Sequence, residues 1–266
     1  MKKGLLLLLL AICPLVHAAL QEKQIDYSSG EAEAKTTLKG YLVWDDAIKG
    51  KRPGVLVVHE FWGLNDYARK RARMLAELGY TALAVDMYGD GKVGQHPKEA
   101  AAFMNAVMSN AEMAKARFLA AKTLLEQQPT VDAKKIAAIG YCFGGATVLA
   151  MAREGIDLRG VVSFHGLLST NKPAQAGQVK ARVLVENGGD DKMVSADDID
   201  NFKKEMDAAG VNYHLDNYVG VKHGFTNSEA DELAKKFELP IGYNAEADQK
   251  SWAAMQRFFK EIFAKS

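Results

Sequence analysis

Lys135-Ile136-Ala137-Ala138-Ile139-Gly140-Tyr141-Cys142-Phe143-Gly144-Gly145 reads as strand, turn and helix in immediate succession, and that order decides the fold. Residues 136–139 are continuously apolar, as a strand buried on both faces must be. Gly140 ends the run, and a helical pattern follows through about Arg153. Between them Gly140-Tyr141-Cys142-Phe143-Gly144 has the G-x-S-x-G spacing with a thiol in the hydroxyl's place, and Gly145 extends it. A turn this sharp leaves no room for a Cβ on its flanks, so glycine is required there. The turn lifts Cys142 above the sheet at the helix N-terminus. There the helix dipole favours a thiolate, and the Phe143 backbone N–H can donate to a developing oxyanion.

Outward from this stretch, strand-like and helix-like patterns alternate. Residues 37–44 alternate apolar and polar like a half-exposed strand, whereas 54–58 are continuously apolar. Two kinds of strand predict antiparallel edges around a parallel centre. Asn65 can cap a helix that carries Met74, Leu75 and Leu78 on one face and stops at Gly79. Residues 80–85, 160–164, 182–186 and 212–218 read as further strands, and 98–108, 111–127, 196–209 and 244–264 as helices. In the last of these, Trp252, Phe259 and Phe263 point inward. The pattern predicts an α/β fold with a mostly parallel central sheet and helices on both faces. Active sites in such sheets lie beyond the carboxyl ends of the strands.

The chain has 266 residues, 48% of them hydrophobic, which is enough to bury one large core. No linker, charge block or internal repeat divides residues 19–266, so one domain is expected. The formal net charge of +1 is spread along the chain, which excludes a nucleic-acid footprint and suits a small neutral or weakly charged substrate. Residues 1–18 read as a secretory signal peptide: Lys2 and Lys3, an apolar core over 5–12, and Val16-His17-Ala18 at the cleavage positions. A lipoprotein reading at Leu10-Ala11-Ile12-Cys13 meets a bulky Ile12 where a small residue belongs. The apolar run is too short for a span, and no later stretch reaches the roughly 20 apolar residues one needs, so no stable membrane insertion is expected. The protein is expected to be exported, to periplasm or medium, and monomeric. Cys13 leaves with the leader, so Cys142 is a single thiol: either a buried small hydrophobe or a group kept for chemistry.

The other strand ends supply partners for that thiol. After 182–186 comes Asn187-Gly188-Gly189-Asp190-Asp191, a turn with two carboxylates, one of which is only a turn residue. After 212–218 comes Gly220-Val221-Lys222-His223-Gly224-Phe225. A thiol needs a base to become thiolate and to return a proton to the leaving group, and the base needs a carboxylate to fix its tautomer. His59, His96, His165 and His214 compete with His223. His96 beside Pro97 and His214 within a strand read as structural or solvated, while His165 could reach the rim of the site. No histidine pair has metal-ligand spacing, and neither a P-loop nor a dinucleotide fingerprint is present, so no metal or cofactor is inferred.

Four groups of residues resemble the dienelactone hydrolase family of α/β-hydrolases over roughly residues 54–263. They are Val58-His59-Glu60-Phe61-Trp62-Gly63-Leu64-Asn65, Asp86-Met87-Tyr88-Gly89, the Cys142 turn, and the Asp191 and His223 turns. The resemblance implies a Cys-His-Asp triad of Cys142, His223 and Asp191, the Gly-Gly-x-Asp pattern selecting Asp191. It also implies that Glu60 is a catalytic residue, hydrogen-bonded to the resting thiol and involved in its activation when substrate arrives, and that the N–H groups of Phe143 and Phe61 form an oxyanion hole. The implied activity is hydrolysis of a small ester or lactone through a thioester. Dienelactone-cleaving members hold the substrate carboxylate with arginines after the Asp-x-Tyr segment and after the catalytic histidine. This chain has Gly89-Asp90-Gly91 and Gly224-Phe225-Thr226-Asn227 there, so an apolar mouth of Phe61, Trp62, Tyr88 and Phe225 is expected instead. Two alternatives stay open: a non-hydrolytic thiol protein that senses oxidants or binds a ligand on the same fold, and acyl transfer to an alcohol. The leader reading makes Ala19 the first residue of the exported protein, which N-terminal sequencing checks. A retained leader, or a lipidated Cys13 at the N-terminus, would contradict it.

Overall fold

The computed structural model describes residues 20–30 and 35–264. The expected leader and Cys13 lie outside the described residues. Eight strands form one sheet: β1 (Leu20–Ser29), β2 (Thr36–Asp45), β3 (Arg52–Val58), β4 (Thr81–Val85), β5 (Val131–Tyr141), β6 (Gly160–Phe164), β7 (Arg182–Gly188) and β8 (Tyr213–Tyr218). The order across the sheet is β1-β2-β4-β3-β5-β6-β7-β8. β1 and β2 run antiparallel to their neighbours, and every pairing from β4 to β8 is parallel. The expectation of antiparallel strands at both edges is therefore corrected. β8 alternates because an edge strand has one wet face, not because its direction reverses.

The helices are α1 (Asp66–Glu77), α2 (Pro97–Met108), α3 (Ala111–Glu126), α4 (Phe143–Arg153), α5 (Ala196–Ala208), α6 (Ala230–Phe237) and α7 (Ala245–Ala264). They cover both faces of the sheet because successive strand side chains point to opposite sides. Leu56, Val58, Ala138 and Val161 pack with Phe118 of α3, Leu149 of α4 and Phe202 of α5. Val55, Val57, Ala137, Ile139 and Val162 pack with Leu75 of α1 and with Met255 and Phe259 of α7. Asn65 caps α1, its side chain accepting from Ala68 N–H, but Leu78 at the other end is exposed and not part of the apolar face. Trp252 is half-buried, while Phe259 and Phe263 are buried as expected. No helix among the described residues is long and apolar enough to cross a membrane.

Two local features frame the rim where strands end. Asp86, just past β4, accepts from the backbone N–H groups of Lys39, Tyr88, Gly89 and Gly91, and so folds the Asp86-Met87-Tyr88-Gly89 segment into a fixed loop. Glu186, near the end of β7, is buried; its Oε2 accepts from the Tyr218 hydroxyl at 2.6 Å, and its Oε1 has no partner among the described residues. Burial, helped by the nearby Asp216 and opposed by the Tyr218 hydrogen bond, pushes its pKa up to about 9. A carboxyl with a raised folded pKa binds a proton that the unfolded chain releases at about pH 4.5. Stability from this group is thus complete below that pH and is lost as pH rises toward 9. Glu186→Gln removes the loss. Its unfolding free energy should gain progressively on the parent's from pH 5 to pH 9. A constant gap would contradict the assignment.

Candidate active site

The turn after β5 has the strained geometry that an exposed nucleophile requires. Cys142 has φ 54° and ψ −113°, a backbone conformation that L side chains rarely adopt. The chain tolerates it because neighbouring backbone closes around the turn. A Cβ on Gly140 would lie 2.0 Å from Gly144 O, and one on Gly144 would lie 2.2 Å from Val58 O. α4 therefore starts pressed against the ends of β3 and β5, with Cys142 at its N-cap position and no side chain capping its first N–H groups. Phe143 N–H has no hydrogen-bond partner among the described residues.

The Asp191 and His223 turns meet beside β7 and β8. His223 Nδ1 is 2.7 Å from Asp191 Oδ2, and both residues are buried. Asp191 Oδ1 accepts from Met193 N–H at 2.8 Å, which fixes the carboxylate. Asp190 is exposed, and it is Asp191 that meets the imidazole. The hydrogen bond to Asp191 places a proton on Nδ1 and leaves the buried Nε2 to the Cys142 side, the thiol interacting with the same ring. Burial works against an imidazolium, but the charge of Cys142 as thiolate and the Asp191 hydrogen bond outweigh it and carry the His223 pKa up to about 10.

Glu60, just past β3, is buried near this pair. Its Oε2 accepts from Asn227 Nδ2 at 2.8 Å. Among the described residues Glu60 has no hydrogen bond to the resting thiol; Asn227, four residues past His223, is its partner. Burial pushes the Glu60 pKa up to about 7, against the pull of Asn227, His223 and Arg71. Phe61 N–H, like that of Phe143, has no hydrogen-bond partner among the described residues.

The expected aromatic mouth is only partly formed. Phe61 is half-exposed and packs on Trp62, which in turn packs on Phe237 of α6. Tyr88 is buried and its hydroxyl donates to Phe61 O at 2.8 Å. Phe225 is fully buried against His165 and Tyr218, so it belongs to the core beneath the site and not to the mouth. Arginines do approach both neighbourhoods that lack one in sequence, but from other elements and facing inward. Arg117 of α3 donates to Met87 O, and Arg71 of α1 donates to Thr226 O and pairs with Asp248 at 2.6 Å.

Of the competing histidines, His96 is the N-cap of α2, and His214 is exposed beside Asp216. His165 and His59 are buried in the frame of the site. Cys142 N–H donates to His165 Nδ1 at 3.1 Å, so His165 carries its proton on Nε2, which donates to Thr226 Oγ1 at 2.8 Å. Thr226 continues to the Tyr67 hydroxyl and so to Arg71. The roles of Thr226, Asn227, Tyr67 and Arg71 were missed in the sequence. Only the nearness of Thr226-Asn227 to His223 could have hinted at two of them. Among the described residues no group of three His, Cys, Asp or Glu side chains could hold a metal ion.

Comparison with known proteins agrees with this fold. The dienelactone hydrolase family pattern matches residues 38–263. The "Putative carboxymethylenebutenolidase" of Saccharolobus solfataricus is 25% identical over 91% of this chain and 99% of its own. Among solved structures, the dienelactone hydrolase-like promiscuous phosphotriesterase P91 from metagenomic libraries is 35% identical, covers 92% of this chain and 99% of its own, and superposes with a TM-score of 0.84. A dienelactone hydrolase-type structure from Klebsiella pneumoniae, 23% identical with a TM-score of 0.75 and covering 91% of this chain and 99% of its own, shares the fold. With an α/β-hydrolase sheet and a family match over nearly all of the described residues, this chain belongs to the dienelactone hydrolase family and is an ester or lactone hydrolase.

Proposed function

We propose that the protein cleaves a small ester or lactone through a Cys142-His223-Asp191 triad and a thioester acyl-enzyme. The observation that carries the reading is the buried His223, tied to Asp191 through Nδ1 at 2.7 Å and interacting with the Cys142 thiol on its strained turn. The Cys142 thiolate adds to the substrate carbonyl carbon, and the N–H groups of Phe143 and Phe61 receive the oxyanion. As the tetrahedral intermediate collapses, the C–O bond breaks and the leaving alkoxide takes the proton from His223 Nε2. Water then gives a proton to the same nitrogen and adds to the thioester. The second collapse expels the thiolate and releases the acid. Each N–H is worth about 2.7–4 kcal/mol of transition-state stabilisation in comparable sites.

The substrate class follows from what surrounds the thiol. Arg71 and Arg117 are committed to backbone carbonyls, and the open part of the mouth is Phe61, so an uncharged ester or lactone fits better than one bearing a carboxylate. Export and a monomeric state complete the reading. Cys142→Ala should abolish hydrolysis of p-nitrophenyl acetate, by at least about 10³-fold, with an unchanged circular dichroism spectrum and thermal midpoint. Parent-like turnover in that variant would exclude the mechanism. No turnover in the parent, with reversible oxidation of Cys142, would favour a thiol sensor.

A further inference from the structure

A segment without regular secondary structure forms one half of the candidate oxyanion hole, and two side chains outside the triad hold it. His59 Nδ1 is 2.6 Å from the Glu60 carbonyl oxygen, and Met87 N–H donates to His59 Nε2 at 3.3 Å. Accepting at Nε2 forces the proton onto Nδ1, so the ring donates to Glu60 O. Gly63 N–H adds a second hydrogen bond to the same oxygen at 3.1 Å. In a trans peptide the carbonyl and the following N–H point in opposite directions. Holding Glu60 O therefore sets the direction of Phe61 N–H. One peptide further on, the Tyr88 hydroxyl donates to Phe61 O at 2.8 Å. Burial lowers the His59 pKa to about 4, so the ring stays neutral and keeps this tautomer across the working pH range.

The same two rings also reach the other half of the hole. His59 and Tyr88 meet edge to face with centroids 4.7 Å apart, and Phe143 packs on both at 5.6 Å. Phe143 supplies the second N–H. A single buried cluster of three rings thus joins the two backbone donors. Ring packing in a dense interior resists displacement, because small gaps forfeit contact energy.

We propose that His59 and Tyr88 are positioning residues that set the direction of Phe61 N–H and its distance from Phe143 N–H, making the oxyanion hole ready before substrate arrives. The proposal rests on the hydrolytic reading above and deepens it. Neither side chain touches the reacting atoms; both act through backbone.

The test separates this role from that of the triad. His59→Gln can keep a polar group near the place of Nε2 but offers no donor at the Nδ1 place, whereas His59→Asn does the reverse. Tyr88→Phe removes only the hydroxyl. On p-nitrophenyl acetate, His59→Gln and Tyr88→Phe should each lower kcat about 10- to 100-fold with KM within about twofold, and His59→Asn, which keeps the donor to Glu60 O but loses the ring, should lower kcat clearly less than His59→Gln does. Alkylation of Cys142 by iodoacetamide develops no oxyanion, so its rate should match the parent's in all three. Binding of a trifluoromethyl ketone, which forms a tetrahedral adduct, should weaken by the same factor as kcat. Parent-like kcat in His59→Gln or Tyr88→Phe overturns the proposal. So does a parallel fall in alkylation, and so does an Asn variant no better than Gln. If one variant does not fold, the other position reads the same arm. Failure of the hydrolytic reading appears separately, as absent turnover in the parent.

Discussion

The site depends on how closely the first turn of α4 lies against the ends of β3 and β5. Gly140 and Gly144 allow that approach, and Gly145 adds to it, since a Cβ there would lie 2.7 Å from Ser163 Oγ and 2.9 Å from Gly166 Cα. With backbone packed on backbone, Cys142 is held in a left-handed conformation that no isolated turn would keep. Cys142 N–H contributes by donating to both Phe164 O at 3.0 Å and His165 Nδ1 at 3.1 Å. Local strain of this kind costs about 1–3 kcal/mol and persists only where surroundings over-determine it. Here the surroundings are the dense centre of an eight-stranded sheet.

Around this turn the protein uses buried polar groups as fixed struts. His59 and His165 carry their protons on opposite nitrogens, each set by a backbone N–H that donates to the other nitrogen. Burial pushes both away from the imidazolium form. His223 lies 5.0 Å from His165, ring to ring, and moves the other way because it faces a carboxylate and a thiol. Three buried histidines in one rim thus differ in charge preference for a physical reason: burial outweighs the pull of Asp86 on His59, the His223 and Arg71 charges add to burial at His165, and His223 meets Asp191 and Cys142. Behind them Arg71, paired with Asp248, anchors the Thr226 segment to α7. That ties the histidine loop to the same core as the sheet.

Much of this was legible in the residues alone. The apolar run before Gly140, the glycine spacing around Cys142, and the carboxylate and imidazole after two later strands gave the α/β sheet and the three central side chains. Two elements escaped. β1 escaped because Gln21, Glu22, Lys23 and Gln24 are all exposed on an edge strand, leaving Leu20, Ile25 and Tyr27 to pack against the core. α6 escaped because it spans only eight residues, about two turns, too few for its period to stand out from the surrounding loop. At the site, periodicity could not reveal that Asn227 would take the hydrogen bond expected of the thiol, or that Phe225 would turn inward. Both depend on how one loop crosses another, which is a tertiary fact. The function of His59 was hidden for a similar reason: its partners, Glu60 O and Met87 N–H, are backbone atoms common to every residue type.

The chemistry proposed for Cys142 is tested most directly by stopping the reaction of the intact protein with p-nitrophenyl acetate within its first turnover and weighing its peptides. The account predicts an added acetyl group on the peptide that contains Cys142, appearing as p-nitrophenol is released and disappearing at the rate of steady turnover. Release of p-nitrophenol with no acyl group on that peptide, or with one that persists far longer than a turnover, would contradict it.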